Sequence, residues 1–176
     1  MSAKRIFVRE AQPSDAPAVC EYLAELIAED LPVLVLFDQA PSREVEERFL
    51  RRSLESPNSV FLLALVGERV VGQLDFSGGW QSRRAHAGSI SMSVQQSFRG
   101  RGVGTTLLKR LFAWIEQHPT VCRADLEVLS NNPNARRLYE RLGFHLEGRR
   151  EAAVVVDGQP IDAILMARLW PKKALR

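Results

Sequence analysis

The chain has 176 residues, of which 45% are hydrophobic and 26% are charged. This is the composition of an ordinary globular protein, and it excludes a collagen-like, repetitive or largely disordered chain. The length is typical of one domain, so we expect residues 1–176 to form a single domain. The formal net charge of +3 is too small and too dispersed to indicate a nucleic-acid-binding protein.

Cysteine usage and hydropathy restrict the compartment in which the protein works. Cys20 and Cys122 are far apart and outside any C-x-x-C pattern, which argues against a disulfide framework and a zinc site. We therefore expect no bound metal and a reducing, cytoplasmic location. The most apolar run, Leu31–Phe37, is too short to span a bilayer, and the N-terminal segment lacks the apolar core of a secretory signal. We expect neither a membrane nor a nucleic acid as a partner.

The first part of the chain is predicted to form one strand and two helices. Arg5–Glu10 is typical of a short strand. Ser14 is a suitable N-cap for a helix whose apolar residues recur at helical spacing and which ends before Pro32. A second helix is predicted from Ser42 to Leu54. Its residues predicted to face inward are Val45, Phe49, Leu50 and Leu54.

The middle of the chain is predicted to form three strands and a helix. Ser59–Phe76 contains two apolar runs around Gly67, which predicts an antiparallel pair. Gly88–Val94 alternates serine with apolar residues at the strand period of two. Thr105–His118 carries a leucine-rich apolar stripe at helical spacing and is predicted to end at Pro119.

The C-terminal part adds a strand, a short helix and a hairpin. Cys122–Ser130 is predicted to be a strand, and the segment Asn132–Phe144 a helix closed by Gly143, which tolerates a positive φ. Two further strands, Ala152–Val156 and Ile161–Leu169, meet at Asp157–Gly158, a strong hairpin signal. The predicted order, β-α-α-β-β-β-α-β-α-β-β, indicates an α+β fold with a mixed sheet.

The segment R-G-R-G-V-G-T, Arg99–Thr105, lies between a predicted strand and a predicted helix. A helix N-terminus presents unpaired N–H groups with partial positive charge, and glycine lets the backbone approach a phosphate closely. Arg99 and Arg101 add positive charge, so the segment predicts a pyrophosphate-binding site. The spacing matches neither a P-loop, which needs a lysine, nor the G-x-G-x-x-G dinucleotide motif. Taken alone, it could also be a glycine-rich turn entering a core helix.

A second segment, Leu126–Phe144, helps to decide between these two interpretations of the glycine segment. Together with V-x-x-x-x-R-G-x-G-x-G at Val94–Gly104, it resembles the GNAT superfamily of N-acetyltransferases. The first segment is similar to that family's acetyl-CoA motif, R/Q-x-x-G-x-G/A. The second is similar to its N-x-x-A-x-x-L-Y-x-x-x-G-F segment, and the resemblance covers nearly the whole chain. It implies about seven mostly antiparallel strands flanked by about four helices, with a splay between strands four and five.

The resemblance also implies how acetyl-CoA binds as co-substrate. The pantetheine arm inserts between the strands predicted at Gly88–Val94 and Cys122–Ser130, and an amide near Val94 polarises the thioester carbonyl. Main-chain N–H groups of Arg101–Thr105 hold the pyrophosphate, and Asn132 contacts the cofactor near the pantetheine. The residues predicted to bind the cofactor are Met92, Val94, Arg99, Gly100, Arg101, Gly102, Val103, Gly104, Thr105, Asn132 and Tyr139.

Tyr139 is predicted to be the general acid. When an amine attacks the thioester, CoA leaves as a thiolate, and a phenol beside the sulfur can protonate it. The alternative is that Tyr139 only packs, because it falls on one apolar stripe with Leu138 and Leu142.

The amine must lose a proton before it attacks, since alkylamines are largely protonated near neutral pH. The strand Gly88–Val94 carries only serines at its polar positions, so Glu127 on the next strand is the predicted general base. Its register resembles that of a glutamate thought to act through water in ribosomal-protein alanine acetyltransferases. A surface role for Glu127, His86 as the base, and water itself remain alternatives.

The resemblance to bacterial amino-acid and small-amine acetyltransferases implies a free amino acid or a similar amine as the acceptor. The loop Ala28–Pro41 and the hairpin Arg149–Ala167 are implied to contact it. The candidates for binding a substrate carboxylate are Arg83, Arg84, Arg149 and Arg150. A protein N-terminal acetyltransferase and a catalytically silent acyl-CoA sensor are the alternatives, and the family leads us to expect a homodimer.

Overall fold

The computed structural model describes residues 5–32 and 38–170. Residues 33–37 of the predicted apolar loop Leu31–Phe37 lie outside the described residues. The α-helices within these ranges are α1 (Ala16–Ala28), α2 (Arg43–Glu55), α3 (Val103–Gln117) and α4 (Pro133–Arg141). The strands are β1 (Ile6–Glu10), β2 (Val60–Val66), β3 (Arg69–Gly78), β4 (Ala87–Val94), β5 (Arg123–Leu129), β6 (His145–Val156) and β7 (Gln159–Leu169).

The strands of the described chain form one seven-stranded sheet in the order β1-β2-β3-β4-β5-β7-β6. Every neighbouring pair is antiparallel except β4 and β5, which run parallel. A parallel pair needs a crossover connection, and α3 supplies it. The predicted α+β fold, with a mixed sheet, its strands and its helices, is confirmed.

Apolar side chains cover the two faces of this sheet separately. On one face the leucines of α3, including Leu107 and Leu111, are fully buried against Leu74 of β3. On the other face Leu26 of α1 and Leu50 of α2 pack in a second buried cluster. We call these the α3 face and the α1/α2 face. Because the residues of a strand alternate between faces, β2 and β3 contribute to both clusters.

The predicted inward face of α2 is wrong in part. Leu50 is buried as predicted, but Val45, Phe49 and Leu54 are exposed. The buried stripe instead runs through Glu46, Leu50 and Ser53, which recur at the helical spacing of three to four residues. A helix buries only one stripe, and here two of its three members are polar.

Two element boundaries also differ from the prediction. α3 begins at Val103 rather than Thr105, because Gly102 takes the left-handed conformation just before the helix. β6 begins at His145, so it includes a charged segment before the predicted strand Ala152–Val156, and both parts pair with β7. No helix within residues 5–32 or 38–170 combines the length and the apolar character needed to cross a membrane.

Candidate active site

β4 and β5 separate in the middle of the sheet. Their parallel pairing covers only Ala87–Ile90 of β4 and Arg123–Leu126 of β5. Farther along, β4 stays paired with β3 as far as Val94, and β5 stays paired with β7 as far as Leu129. The predicted splay is therefore present. The facing edges of the two strands are unpaired with each other, which suits a ligand that adds main-chain-like hydrogen bonds between them.

A cavity of about 1250 Å³ occupies this splay and extends to the start of α3 and to α4. Every residue predicted to bind the cofactor lines it except Arg101. Its lining residues from the predicted set are Met92, Val94, Arg99, Gly100, Gly102, Val103, Gly104, Thr105, Asn132 and Tyr139. Glu127, the predicted base, lines it as well. Segments far apart in the chain thus meet around one space.

The N-terminus of α3 opens into this cavity without a side-chain cap. Gly102 precedes the helix at φ 86°, and the first helical hydrogen bond runs from the Thr106 N–H to the Gly102 carbonyl at 2.9 Å. The N–H groups of Val103, Gly104 and Thr105 therefore have no helical partner. Three free N–H groups at a helix N-terminus form a suitable site for phosphate oxygens.

Gly104 has a packing role rather than a conformational one. A Cβ atom there would lie 3.1 Å from Leu138 Cδ2 and 3.3 Å from Met92 Cε. Its absence lets the first turn of α3 approach both α4 and β4. The glycine therefore brings the helix N-terminus close to the splayed end of β4.

Arg99 and Arg101 make different contacts. The Arg99 Nε donates to the Val94 carbonyl at 2.8 Å, and a terminal nitrogen lies 3.4 Å from a carboxylate oxygen of Glu29. Arg99 therefore stabilises the end of β4. The Arg101 guanidinium lies 5.7 Å from the centre of the Phe98 ring and is exposed. A phosphate contact by either arginine remains a prediction.

Tyr139 lies on α4 with its side chain buried and its ring edge-on against Phe144, 5.7 Å between centroids. It lines the cavity, and its hydroxyl makes no hydrogen bond to another described residue. Burial raises the pKa of Tyr139 to about 12. The phenol is therefore fully protonated near neutral pH and can donate a hydrogen bond into the cavity.

α4 itself begins with a capping contact. The Asn132 side-chain oxygen accepts from the Ala135 N–H at 3.1 Å, so this oxygen sets the start of the helix. Gly143, at φ 85°, follows the end of the helix as predicted. The cap and the glycine together hold Tyr139 on the side of α4 that faces the cavity.

Residues 20–144 match the family model described as "Acetyltransferase (GNAT) family". This match covers more than half of the chain and includes the splay, the α3 N-terminus and α4. The chain belongs to the acetyltransferase (GNAT) family.

Individual relatives and solved structures are similar to this chain in sequence or in fold. The L-amino acid N-acetyltransferase AaaT of Escherichia coli (strain K12) is 28% identical over 118 residues, which are 67% of this chain and 73% of that protein. A GNAT-family acetyltransferase from Streptococcus pneumoniae is 26% identical, with a TM-score of 0.87 over 94% of this chain and 99% of that one. The structure of yncA from Salmonella typhimurium, solved with its cofactor acetyl-CoA, gives a TM-score of 0.80 at 19% identity over 93% of each chain. This GNAT protein is an acetyl-CoA-dependent N-acetyltransferase.

The base predicted for this GNAT site lies at the edge of the cavity. The Glu127 side chain is 50% exposed, and its carboxylate is paired with the Arg150 guanidinium of β6. His86 lies just before β4 and does not line the cavity. Its carbonyl accepts the N–H groups of Cys122 and Arg123, at 2.9 and 3.1 Å. Of the two side chains considered as a base, only Glu127 therefore reaches the cavity.

The arginines predicted to meet a substrate carboxylate occupy different surroundings in the GNAT fold. Arg149 and Arg150 are already ion-paired, with Asp162 and Glu127. Arg83 and Arg84 lie in a short 3-10 helix, Ser82–Arg84, and both are exposed. A substrate carboxylate would have to displace an existing partner from Arg149 or Arg150, whereas Arg83 and Arg84 have no ion pair to another described residue.

The sequence analysis missed one acidic residue beside this cavity. Asp75 of β3 lies opposite Ser91 of β4 in the sheet register, and Ser91 lines the cavity. The available signal was a lone acid between Leu74 and Phe76, which breaks the apolar character of an internal strand.

Proposed function

We propose that this protein transfers the acetyl group of acetyl-CoA to the primary amine of a small molecule, an amino acid or a related amine. The observation that carries the proposal is one cavity with free N–H groups of α3 on one side and the Tyr139 hydroxyl on another. The first suits a pyrophosphate, and the second suits a leaving thiolate. The relation to AaaT supports an amino acid as the acceptor.

The binding step uses main-chain groups. The pyrophosphate of acetyl-CoA is held by the N–H groups of Val103, Gly104 and Thr105, and the pantetheine arm pairs with β4 near Met92. An amide near Val94 then donates to the thioester oxygen. Because Arg99 holds the Val94 carbonyl, this end of β4 is in place before the thioester arrives.

The chemical step is a direct transfer. Glu127 accepts a proton from the acceptor ammonium through water, which frees the nitrogen lone pair. The nitrogen forms a bond to the acetyl carbon and releases its second proton to water, while the carbon–sulfur bond breaks and CoA leaves as a thiolate. The Tyr139 hydroxyl donates a hydrogen bond to the sulfur. Because the phenol pKa is about 12, well above that of an ordinary thiol, donation of a strong hydrogen bond contributes more than complete proton transfer.

Turnover of acetyl-CoA over a panel of amines tests this proposal. The panel holds free amino acids, simple alkylamines and short peptides with free N-termini, and thiol release is measured together with the acetylated product. We expect acetylation of at least one free amino acid or small amine. Activity confined to peptide N-termini would contradict the small-molecule acceptor, and acetyl-CoA binding without any product would favour the sensor.

A further inference from the structure

Asp75 stands one strand away from the cavity on the α1/α2 face. In the register it lies between Phe61 of β2 and Ser91 of β4, and Phe61 belongs to the buried cluster of that face. Side chains directly opposite each other in antiparallel strands point to the same face, with Cβ atoms about 5 Å apart. Ser91 is exposed and lines the cavity. The Asp75 carboxylate therefore lies beside a serine that a ligand in the cavity can reach.

The charge of Asp75 is not compensated within the described chain. Its Oδ2 accepts from the Ser77 hydroxyl at 2.7 Å, but its Oδ1 is buried and has no hydrogen-bond partner. Glu46 of α2 is only 6% exposed, and the negative charge of Asp75 acts on it. Neither carboxylate forms an ion pair with any described residue.

Other acidic residues along the cavity form ion pairs with arginine. Glu127 is paired with Arg150, and Arg123 lies 2.6 Å from Asp125 and 2.9 Å from Glu147. A guanidinium thus pairs with each cavity-lining acid of β5 and β6, namely Asp125, Glu127 and Glu147, whereas none in the described chain pairs with Asp75 or Glu46. Because Asp75 and Glu46 lack a basic partner, a cationic ligand would stabilise their negative charge more than that of the other acids.

A buried carboxylate without a partner is costly, because it gives up hydration and gains no charge-assisted hydrogen bond. Burial raises the pKa of Asp75 to about 6, and burial together with the charge of Asp75 raises that of Glu46. Near neutral pH Asp75 is therefore ionised. An arriving ammonium group would supply the missing donor and the missing positive charge at once.

We propose that Asp75 binds the ammonium group of the acceptor before transfer and that Glu46 strengthens this site from behind, so that the enzyme selects acceptors with a cationic amine. This inference rests on the function proposed above. The paired register of β4 and β5 ends at Ile90 and Leu126, so Ser91 and Glu127 are the next residues of the two strands and face each other across the start of the splay. A nitrogen held over Ser91 lies between the carboxylate that binds it and the carboxylate proposed to take its proton.

The binding test uses n-propylammonium as the probe, with and without CoA, followed by backbone NMR titration. In the unchanged protein we expect saturable shifts of the amides around Asp75 and Ser91. Asp75→Asn should weaken the affinity at least tenfold, and Glu46→Gln by a smaller factor. The uncharged probe 1-propanol should bind both proteins equally.

Asp157→Asn is the matched control, because it removes one carboxylate in the β6–β7 turn and leaves an Asn-Gly pair that suits a positive φ. It should bind the probe like the unchanged protein. Equal affinity of Asp75→Asn and the unchanged protein would overturn the proposal. So would an equal loss in Asp157→Asn, or shifts confined to another part of the chain.

The kinetic test separates this proposal from the function on which it rests. With the best amine of the panel, Asp75→Asn should raise KM for the amine at least tenfold and leave KM for acetyl-CoA unchanged. The KM for hydroxylamine, which is uncharged at pH 8, should not change with the substitution. If no amine is acetylated by the unchanged protein, the proposed function fails, while the NMR titration still decides whether Asp75 binds an ammonium group.

Discussion

The two faces of the sheet at β4 present different chemistry to the same cavity. On the α3 face, the ligand groups are main-chain N–H groups made available by a left-handed glycine and an uncapped helix. On the α1/α2 face, they are side chains such as those of Ser91 and Glu127, with the Asp75 carboxylate one strand farther away. Main-chain donors keep their partial charge at every pH, whereas the charge of a carboxylate depends on what buries it. We therefore expect binding of acetyl-CoA to resist side-chain changes and binding of the acceptor to be sensitive to single charges.

Tyr139 is proposed to stabilise the leaving thiolate, so its loss should give the largest effect. We expect Tyr139→Phe to lower kcat by about 10²–10³-fold, because the leaving thiolate loses its hydrogen-bond donor. Affinity for CoA, measured by calorimetry, should change little, since the ring remains packed against Phe144. Unchanged turnover would remove the assignment of Tyr139 as general acid, and a lost CoA affinity would reassign it to binding.

Glu127→Gln tests the base on the acceptor side. We expect kcat/KM at pH 7 to fall by about 10²-fold, the lower end of typical general-base effects. The loss should shrink as the pH approaches the pKa of the acceptor amine, because a free amine needs no base. A pH profile parallel to that of the unchanged protein would assign Glu127 to the surface ion pair with Arg150 only.

Asp75→Asn should stabilise the fold even though it weakens acceptor binding. Burial raises the Asp75 pKa from 3.8 to about 6, so the folded state holds a proton that the unfolded state has released between these values. The Asp75 contribution to stability is therefore present below about pH 4 and lost as the pH rises through 6. At pH 8 the variant should gain up to about 3 kcal/mol in free energy of unfolding.

Urea unfolding at pH 4 and pH 8 measures this difference. The gain should be seen at pH 8 and be much smaller at pH 4, where the carboxyl of the folded protein is protonated. A variant less stable than the unchanged protein at pH 8 would show that the carboxylate has a stabilising partner.

The smallest expected effect concerns the glycine before α3. Gly102→Ala and Gly67→Ala each place a Cβ at a positive φ, 86° and 66°, with nothing within 4 Å of the added atom. Each should cost about 1–2 kcal/mol in free energy of unfolding. Only Gly102→Ala should also weaken acetyl-CoA affinity, about tenfold, because it shifts the N–H groups of the first helical turn. Equal affinities in the two variants would contradict the pyrophosphate site.

The local pattern of apolar and polar residues was sufficient to predict much of the fold. Alternation in Gly88–Val94 and the leucine stripe of α3 indicate their structures because each depends on residues close in sequence. α2 shows the limit of this reasoning. Its exposed Phe49 and buried Glu46 follow from how the helix is rotated against β2 and β3, and this rotation depends on residues distant in the chain.

By itself, the sequence determined the order of the elements, the glycine segment before α3 and the tyrosine after Asn132, because spacing along one chain carries all three. Only the tertiary structure decided that Arg99 holds Val94 and that Arg150 holds Glu127. It alone placed Asp75 beside Ser91, without a partner. The physical reason is that the ion pairs and the burial of a side chain depend on its neighbours in space. The register of the sheet determines those neighbours, and it depends on residues far apart in the sequence.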